Sequence, residues 1–387
     1  MKLKLTWSSL SLLKNVNFIL GIYVIIAIGT GIQQYALGVD HINNYLIFKT
    51  SFLNLIHNKD LYVLHPESYD DLYKYSPSFA LFMFPFAKLP DLVGIIIWNL
   101  VNTLALFFAI RVLHIKEEKK TFIFYFILFE LITSIQNLQS NALMAALMLI
   151  AFVFFEKRNV FLAALFISLS FYLKIFGLAA ALLFLFYPEK GKFILYMLFW
   201  TCLLFFIPLF VVSFEQLLQL YKSWFYLLRN DSSHSLNFSV LTLIRSWFNI
   251  QLSDLYVLIP GMIVLLIPLL HFNFYKSPQF RLMFLCSVLI WVIIFNHKAE
   301  SPTFIIAILG AALWYKNIQP SAWDKGLIIF AFVFTSLSST DLFPKYLRET
   351  YILPYVLKAL PCILIWMKIQ YELIFNPDLI GRKPELT

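Results

Sequence analysis

Residues 193–213 read FILYMLFWTCLLFFIPLFVVS and contain no charged side chain. An α-helix rises 1.5 Å per residue, so about 20 apolar residues cross the hydrocarbon core of a bilayer. This segment is therefore predicted to be a transmembrane helix. The run 16–32 has the same character and predicts a second one near the start of the chain.

The composition extends this prediction to the whole chain. Of 387 residues, 61% are hydrophobic and 13% are charged, against about 45–50% and about 25% in ordinary soluble domains. A soluble globule is excluded. The apolar stretches are continuous, and a helix satisfies all of its backbone hydrogen bonds inside one segment. The fold class predicted is an all-α polytopic membrane protein.

Apolar runs and the polar breaks between them predict roughly twelve spans. They lie near residues 16–36, 92–113, 121–135, 141–155, 160–173, 175–187, 193–213, 253–271, 281–295, 303–315, 326–341 and 354–372. Within 160–187 we expect two short helices that meet at Lys174, although one long tilted helix is the alternative. No small-residue cleavage site follows the first apolar run, so we expect a retained helix there.

Lysine and arginine predict the orientation. More of these 30 residues lie on the side of the N-terminus than on the other side, which predicts cytoplasmic ends for the chain. We interpret 1–387 as one domain whose two long segments, 37–91 and 214–252, face the outside. The net charge of +9 is scattered and forms no stripe, so it indicates membrane lipids as partners and not nucleic acid.

The first long segment contains two features predicted to lie at the membrane surface. HINNYLIFKTSFLNLIH (41–57) forms an amphipathic helix, which we expect to lie flat in the interface. Its apolar face consists of Ile42, Tyr45, Leu46, Phe52, Leu53 and Ile56, and its polar face of Asn43, Lys49, Thr50, Asn54 and His57. PSFALFMFPFAK (77–88) is apolar, too short to cross, and bounded by prolines, so we expect it to dip into the membrane or to lie on its surface.

Asp40 is the candidate catalytic residue. It lies between a predicted membrane helix and the interfacial helix, where a carboxylate can meet a lipid headgroup. The later acids of this segment are expected to be solvated; they are Asp60, Glu67, Asp70 and Asp71. With His57 and His65 they show no recognisable metal spacing, and we expect neither a metal nor a cofactor.

Two outer turns carry candidate binding groups. In NHKAESP (296–302), His297 and Lys298 can donate to a phosphate and Glu300 can orient one of them or a sugar hydroxyl. An ordinary loop is the alternative. The second turn is rich in amides, which suit sugar hydroxyls, although helix capping explains them as well; its residues are Gln136, Asn137, Gln139, Ser140 and Asn141.

Two ionisable residues fall at predicted membrane depth, where a charge is costly and so indicates function. Lys174 can reach a lipid phosphate if it lies at the outer end of a hairpin. Glu130 is expected to pair with a neighbouring cation, and we assign it no role. Each of the three cysteines, Cys202, Cys286 and Cys362, lies in a separate apolar run and is interpreted as a small buried hydrophobe.

Several stretches resemble the GT-C glycosyltransferases, specifically glycosyltransferase family 87 of the polyprenol-phosphate-mannose-dependent type. They are the Asp40 loop, KDLY (59–62), YSPSFALFMFPFAKLP (75–90), IIIWNLVN (95–102), QNLQSNALMAALMLIAFVFFEKRN (136–159) and LSFYLKIFGLAAALLFLF (169–186). The resemblance implies a GT-C-like helix bundle whose first outer loop holds a catalytic aspartate, here Asp40. Tyr75, the first residue of YSPSFALFMFPFAKLP, joins the donor-binding candidates Gln136, Asn141, Lys174, His297, Lys298 and Glu300.

The resemblance implies an inverting hexosyltransferase of the plasma membrane, with its active site on the extracytoplasmic side. It would move mannose from a polyprenyl phosphate to a glycolipid or glycan acceptor, and a membrane-protein complex is a further expected partner. A transporter or lipid-carrier flippase is the alternative, because many spans and broken helices also describe carriers. A non-catalytic subunit of a larger assembly is the third hypothesis.

Overall fold

The computed structural model describes residues 12–230 and 237–378, and throughout these residues the regular structure is helical. Three helices are long and apolar enough to cross a membrane: Val16–Leu37, Asp91–Arg111 and Lys190–Phe210. At 1.5 Å per residue each extends about 30 Å. All three coincide with predicted spans, and the all-helical membrane class is confirmed.

Shorter helices complete the bundle. Five are apolar: Asn141–Glu156, Val160–Leu173, Ile175–Phe186, Asp254–Leu270 and Pro278–Ile294. The others of nine or more residues are Asn43–Ile56, Glu117–Phe126, Leu128–Gln136, Phe214–Asn230, Val240–Phe248, Phe304–Asn317, Ala322–Phe330 and Leu360–Phe375. Which of these cross the bilayer, and hence the predicted total of twelve spans, stays a prediction.

Capping side chains explain where several helices begin. The Asn15 side chain accepts hydrogen bonds from the backbone amides of Asn17 and Phe18. Ser277 caps the helix that begins at Pro278, where a proline is tolerated because its missing N–H would have no partner. Ser321 and Asp324 form a reciprocal capping box. These caps satisfy amides that the first helical turn leaves unpaired.

The chain breaks at Lys174, as predicted. The helix Val160–Leu173 ends there, and Lys174 has extended backbone angles, φ −149° and ψ 127°. Ile175–Phe186 then continues as a 3₁₀-helix and not as the expected α-helix. With a rise of about 2.0 Å per residue, twelve residues of 3₁₀-helix extend about 24 Å. Because each residue of a 3₁₀-helix rises further along the axis, this short segment extends almost as far as a longer α-helix.

Two predicted details were wrong. The expected span 354–372 starts too early, because its helix begins only at Leu360 and Pro361 occupies the first turn. Residues before it form turns, in which Val356 has a φ of +56°. Asn54, assigned to the polar face of the amphipathic helix, is buried. That helix, Asn43–Ile56, packs on the two short helices Pro77–Phe82 and Phe84–Ala87, so its buried face is wider than the expected stripe.

The centre of the bundle is the hairpin of Pro278–Ile294 and Phe304–Asn317. Nearly all side chains of the first helix and most of the second are buried. One end of the hairpin carries the turn with Glu300. The other carries Arg281, whose Nε and Nη2 donate to the two oxygens of Glu156 at 2.6 and 2.7 Å. Tyr187 donates to the same carboxylate, and this ion pair joins three segments of the bundle.

Candidate active site

Gly38 positions Asp40. This glycine ends the helix Val16–Leu37 with φ +107°, a left-handed value that favours glycine. A short 3₁₀ turn, Val39–Ile42, follows and carries Asp40 and His41. Both side chains are exposed. The first helix therefore ends by presenting the predicted catalytic carboxylate to solvent.

Two asparagines that follow Asp40 fix its loop in place. The side chain of Asn43 donates to the carbonyl of Asp70 at 2.7 Å and accepts from its N–H at 2.8 Å. Asn44 donates to the carbonyl of Asn137 at 2.9 Å. The Asp40 loop is thereby tied to residues 136–141, which we name the amide turn.

A chain of four polar side chains runs from Lys174 to Glu300. The Nζ of Lys174 donates to Asn141 at 2.7 Å, and the Asn141 amide donates to the side-chain oxygen of Gln139 at 2.7 Å. Gln139 in turn donates to Oε2 of Glu300 at 2.8 Å. Each amide accepts on one side and donates on the other. We name this set the Lys174–Glu300 chain; it links a cation and a carboxylate from distant parts of the sequence.

Tyr75 lies at the Lys174 end of this chain. The Nζ of Lys174 is 5.6 Å from the centre of the Tyr75 ring, within cation–π range. Burial raises the pKa of the Tyr75 phenol above its usual value. The phenol stays protonated at neutral pH and keeps a hydrogen-bond donor beside the amide turn.

An apolar cavity of about 270 Å³ lies next to Lys174. Its lining is mainly aromatic and aliphatic and comes from the short helices Pro77–Phe82 and Phe84–Ala87 and three longer helices. Among the lining residues are Phe79, Trp98, Leu147 and Leu173, the last of which directly precedes Lys174. The cavity is therefore apolar, and the residue that follows its lining residue Leu173 is a cation, a combination that suits an amphiphilic ligand.

Besides Asp40 and Tyr75, three predicted binding residues are not members of the Lys174–Glu300 chain. Gln136 donates to the side chain of Gln33 at 3.3 Å. The His297 ring lies 3.5 Å from the Asp254 carboxylate, and the His297 carbonyl accepts from Asn237 at 2.6 Å. The N–H of Lys298 donates to the side chain of Asn296. Of the turn 296–302, the structure thus brings Glu300 into the chain.

Sequence reasoning missed two members of the polar interior. Gln139 was noted as part of the amide turn but not as a site residue, and it is the side chain that reaches Glu300. The second is Lys358, the cation that pairs with Glu130. Its Nζ lies 2.7 Å from the Glu130 carboxylate, and both side chains are buried. The sequence signal for Lys358 is a lysine inside the apolar run 354–372. A charge at membrane depth is costly and therefore indicates function.

The part of the chain that the structure describes contains no candidate metal site and no disulfide bond. Across residues 12–230 and 237–378, no group of three or more His, Cys, Asp or Glu side chains is placed to hold a metal ion. The three cysteines are free thiols, with Cys202 exposed and Cys286 and Cys362 buried. The prediction of a small buried hydrophobe was thus wrong for Cys202.

Fold and site together define a class: a helical membrane protein with a polar site among its helices. Comparison with protein families is more specific. The model of glycosyltransferase family 87 matches residues 73–295, more than half of the chain, and the chain belongs to that family. It is therefore a glycosyltransferase that uses a sugar donor and an acceptor. The matched region includes Tyr75, Gln136, Asn141 and Lys174. A comparison with curated proteins gave no match.

Proposed function

We propose that this glycosyltransferase moves a sugar, mannose in the first instance, from a polyprenyl phosphate to a glycolipid or glycan acceptor. The reaction takes place at the extracytoplasmic face of the plasma membrane. One observation carries the proposal: Leu173, which lines the apolar cavity of about 270 Å³, directly precedes the cation Lys174. An isoprenoid chain suits the apolar lining, and a phosphate suits the ammonium group of Lys174.

Lys174 would stabilise the leaving group. Its Nζ donates one hydrogen bond to Asn141 at 2.7 Å, and an ammonium group carries three N–H donors. The other donors can bind the phosphate oxygens as negative charge develops on them during transfer. The Lys174–Glu300 chain holds the ammonium group in place, which keeps the phosphate at a fixed depth.

Asp40 would act as the general base. It accepts the proton of the acceptor hydroxyl while that oxygen forms a bond to the anomeric carbon. The bond from the anomeric carbon to the phosphate oxygen breaks, and the polyprenyl phosphate leaves with the electron pair. This single displacement inverts the anomeric centre. The contact of Asn44 with Asn137 supports the assignment, because it ties the Asp40 loop to the turn that holds Asn141.

The test is sugar transfer by the purified chain in lipid nanodiscs, from a synthetic polyprenyl-phosphate mannose to a panel of glycolipid acceptors. Wild type is compared with Asp40→Asn and with Asp71→Asn, an exposed carboxylate of the same segment. We expect the first variant to lose transfer by a hundredfold or more, on the order of the loss of a general base, and the second to retain it.

Equal transfer by wild type and Asp40→Asn would remove Asp40 from the mechanism. Movement of the labelled lipid across the bilayer without any transfer would favour the flippase hypothesis instead. A parallel assay with polyprenyl-phosphate glucose and arabinose identifies the sugar, because only the sugar differs between these donors.

A further inference from the structure

A second cavity has a volume of about 340 Å³, and one of its lining residues is Ser301, which follows Glu300. We name it the polar cavity. Its polar lining residues are Ser301, Ser338, Ser339, Arg348 and Lys358, and three apolar residues complete it. Of the described residues that line it, two are cations, three carry hydroxyls and none carries a carboxylate. This set of groups suits an anion.

The backbone around the polar cavity is unusual. Two π-helical segments, Ala331–Ser336 and Arg348–Ile352, flank it and place Arg348 at its wall. Such turns are rare and occur frequently at functional sites. Val356, two residues before Lys358, has a φ of +56°, a strained value for a β-branched side chain. Strain of this kind persists where the surrounding structure enforces it, often at ligand sites.

Lys358 lines the polar cavity, and three hydrogen bonds hold its ammonium group in place. Its ammonium group donates to Glu130 at 2.7 Å, to the carbonyl of Thr335 at 2.9 Å, and to the hydroxyl of Ser339. These contacts use its three N–H donors. Ser339 lies 3.0 Å from the hydroxyl of Ser301. Because Ser339 accepts from Lys358, it can donate to Ser301, which leaves the Ser301 proton for a ligand.

Arg348 supplies donors that no residue of the described part of the chain uses. Its guanidinium group contacts the carbonyl of Thr340 at 3.3 Å and the carboxylate of Asp341 at 3.9 Å. Asp341 is fully exposed, so water screens that contact strongly. A guanidinium group has five N–H donors in a planar fork that matches phosphate oxygens. The side chain itself is 24% exposed and can be reached from outside.

We propose that the polar cavity binds the phosphoryl group of a lipid substrate, with Arg348 and Ser301 as donors and with Lys358 holding Ser339, and through it Ser301, in place. The exposed tyrosines of the adjoining segment, Tyr346, Tyr351 and Tyr355, are typical of a membrane interface, where a headgroup lies. The cavity is a second anion site, separate from Lys174 and on the other side of Glu300.

The identity of the lipid rests on the proposed function, which requires both a donor and an acceptor. Either one can bring the phosphoryl group: a single-chain prenyl phosphate as donor, or a diacyl phospholipid headgroup as acceptor. The two sources share the same contact chemistry and differ in their tails. Binding probes of both kinds distinguish them without any turnover.

The experiment measures equilibrium binding to the whole chain in neutral-lipid nanodiscs. The probes are farnesyl phosphate, dihexanoyl phosphatidylinositol and, as a neutral reference, farnesol. The variants are Arg348→Gln, Arg348→Lys and Lys345→Gln, the last being an exposed lysine near Arg348. We expect Arg348→Gln to weaken one phosphorylated probe by about tenfold or more, the effect of losing a charged hydrogen bond.

Arg348→Lys should recover part of the affinity, because it keeps the charge but lacks the planar fork. Lys345→Gln should bind as wild type does, and no variant should change farnesol binding. Weakened farnesyl phosphate assigns the cavity to the donor, whose phosphate would then lie here and not at Lys174, and weakened phosphatidylinositol assigns it to the acceptor. Unchanged binding of both by Arg348→Gln, with wild-type thermal unfolding, would overturn the proposal, as would an equal loss in Lys345→Gln.

The result is independent of the proposed function. If no sugar donor supports transfer but Arg348→Gln still weakens a phosphorylated probe, the proposed function fails and the phosphoryl site stands. If transfer occurs and Arg348→Gln binds both probes normally, the enzyme stands and the phosphoryl site fails.

Discussion

Two ion pairs in the described part of the chain have largely buried side chains, and they differ in how completely their hydrogen-bonding groups are satisfied. In the pair Glu156–Arg281, both carboxylate oxygens accept from the guanidinium group and Tyr187 adds a further donor. In the pair Glu130–Lys358, one oxygen of the carboxylate accepts from the lysine at 2.7 Å. The other oxygen is buried and has no hydrogen-bond partner among the described residues. The more deeply buried pair is thus the less satisfied one.

The difference separates a structural contact from a candidate functional one. A bidentate pair with a further donor compensates much of the cost of removing charge from water. A single contact compensates less, so the Glu130–Lys358 pair costs stability that a purely structural role would not require. Lys358 also lines the polar cavity, which Glu156 and Arg281 do not. Incomplete satisfaction at a cavity wall marks the second pair as part of a site.

The largest expected effect is on stability. Arg281→Met should lower the free energy of unfolding by about 3–5 kcal/mol, because it leaves Glu156 buried beside Tyr187 without its cation. Lys358→Met should have an effect of the same order on Glu130. Unfolding in a denaturing-detergent titration measures both. Wild-type unfolding of Arg281→Met would show that the bidentate pair does not hold the three segments together.

Double substitution should separate the pairs by activity. Lys358→Met with Glu130→Gln removes both charges and should restore much of the stability, yet we expect transfer to fall roughly a hundredfold, the scale of one lost electrostatic contact in catalysis. Arg281→Met with Glu156→Gln should retain transfer within about threefold. Initial rates in nanodiscs decide it. Similar losses in both double variants would abolish the distinction between the pairs.

A smaller effect is expected within the Lys174–Glu300 chain. Gln139→Leu removes the side chain that joins Asn141 to Glu300 and should lower kcat about tenfold, with little change in KM, because it disturbs the position of Lys174. Gln136→Leu is the matched control from the same turn and should change kcat less than about threefold. Equal effects of the two substitutions would mean that the turn acts as a whole and not through this chain.

The smallest effect is expected at an exposed ion pair. Lys192 and Glu189 are 2.6 Å apart, a distance as short as that in the buried Glu156–Arg281 pair. Lys192→Gln should nevertheless leave unfolding and transfer unchanged, because water screens the exposed charges. The same detergent titration and rate assay measure it. A large loss here would mean that distance, and not burial, decides which pairs matter in this protein.

Much of the architecture was predictable from the sequence. The apolar runs predicted the helices Val16–Leu37, Asp91–Arg111 and Lys190–Phe210 to within a few residues, and the lysine between two apolar runs predicted the break at Lys174. Family membership was also predictable, because local patterns of aromatic, small and polar residues carry it. Asp40 as the base stays a prediction.

Contacts between distant segments were not predictable. No local pattern says that Gln139 meets Glu300, since they are 161 positions apart. Nor does one indicate that Glu130 finds its cation at Lys358, 228 positions later. Helix packing brings these side chains together. The position of Arg348 at a cavity wall depends in the same way on its π-helical backbone.

A helical membrane protein of a glycosyltransferase family could be predicted from the amino-acid sequence, because hydrophobicity and short motifs are local properties of the chain. The tertiary structure alone decided which polar groups share a site. Burying a polar or charged group is costly without a partner, and that partner is supplied by whichever helix packs against it.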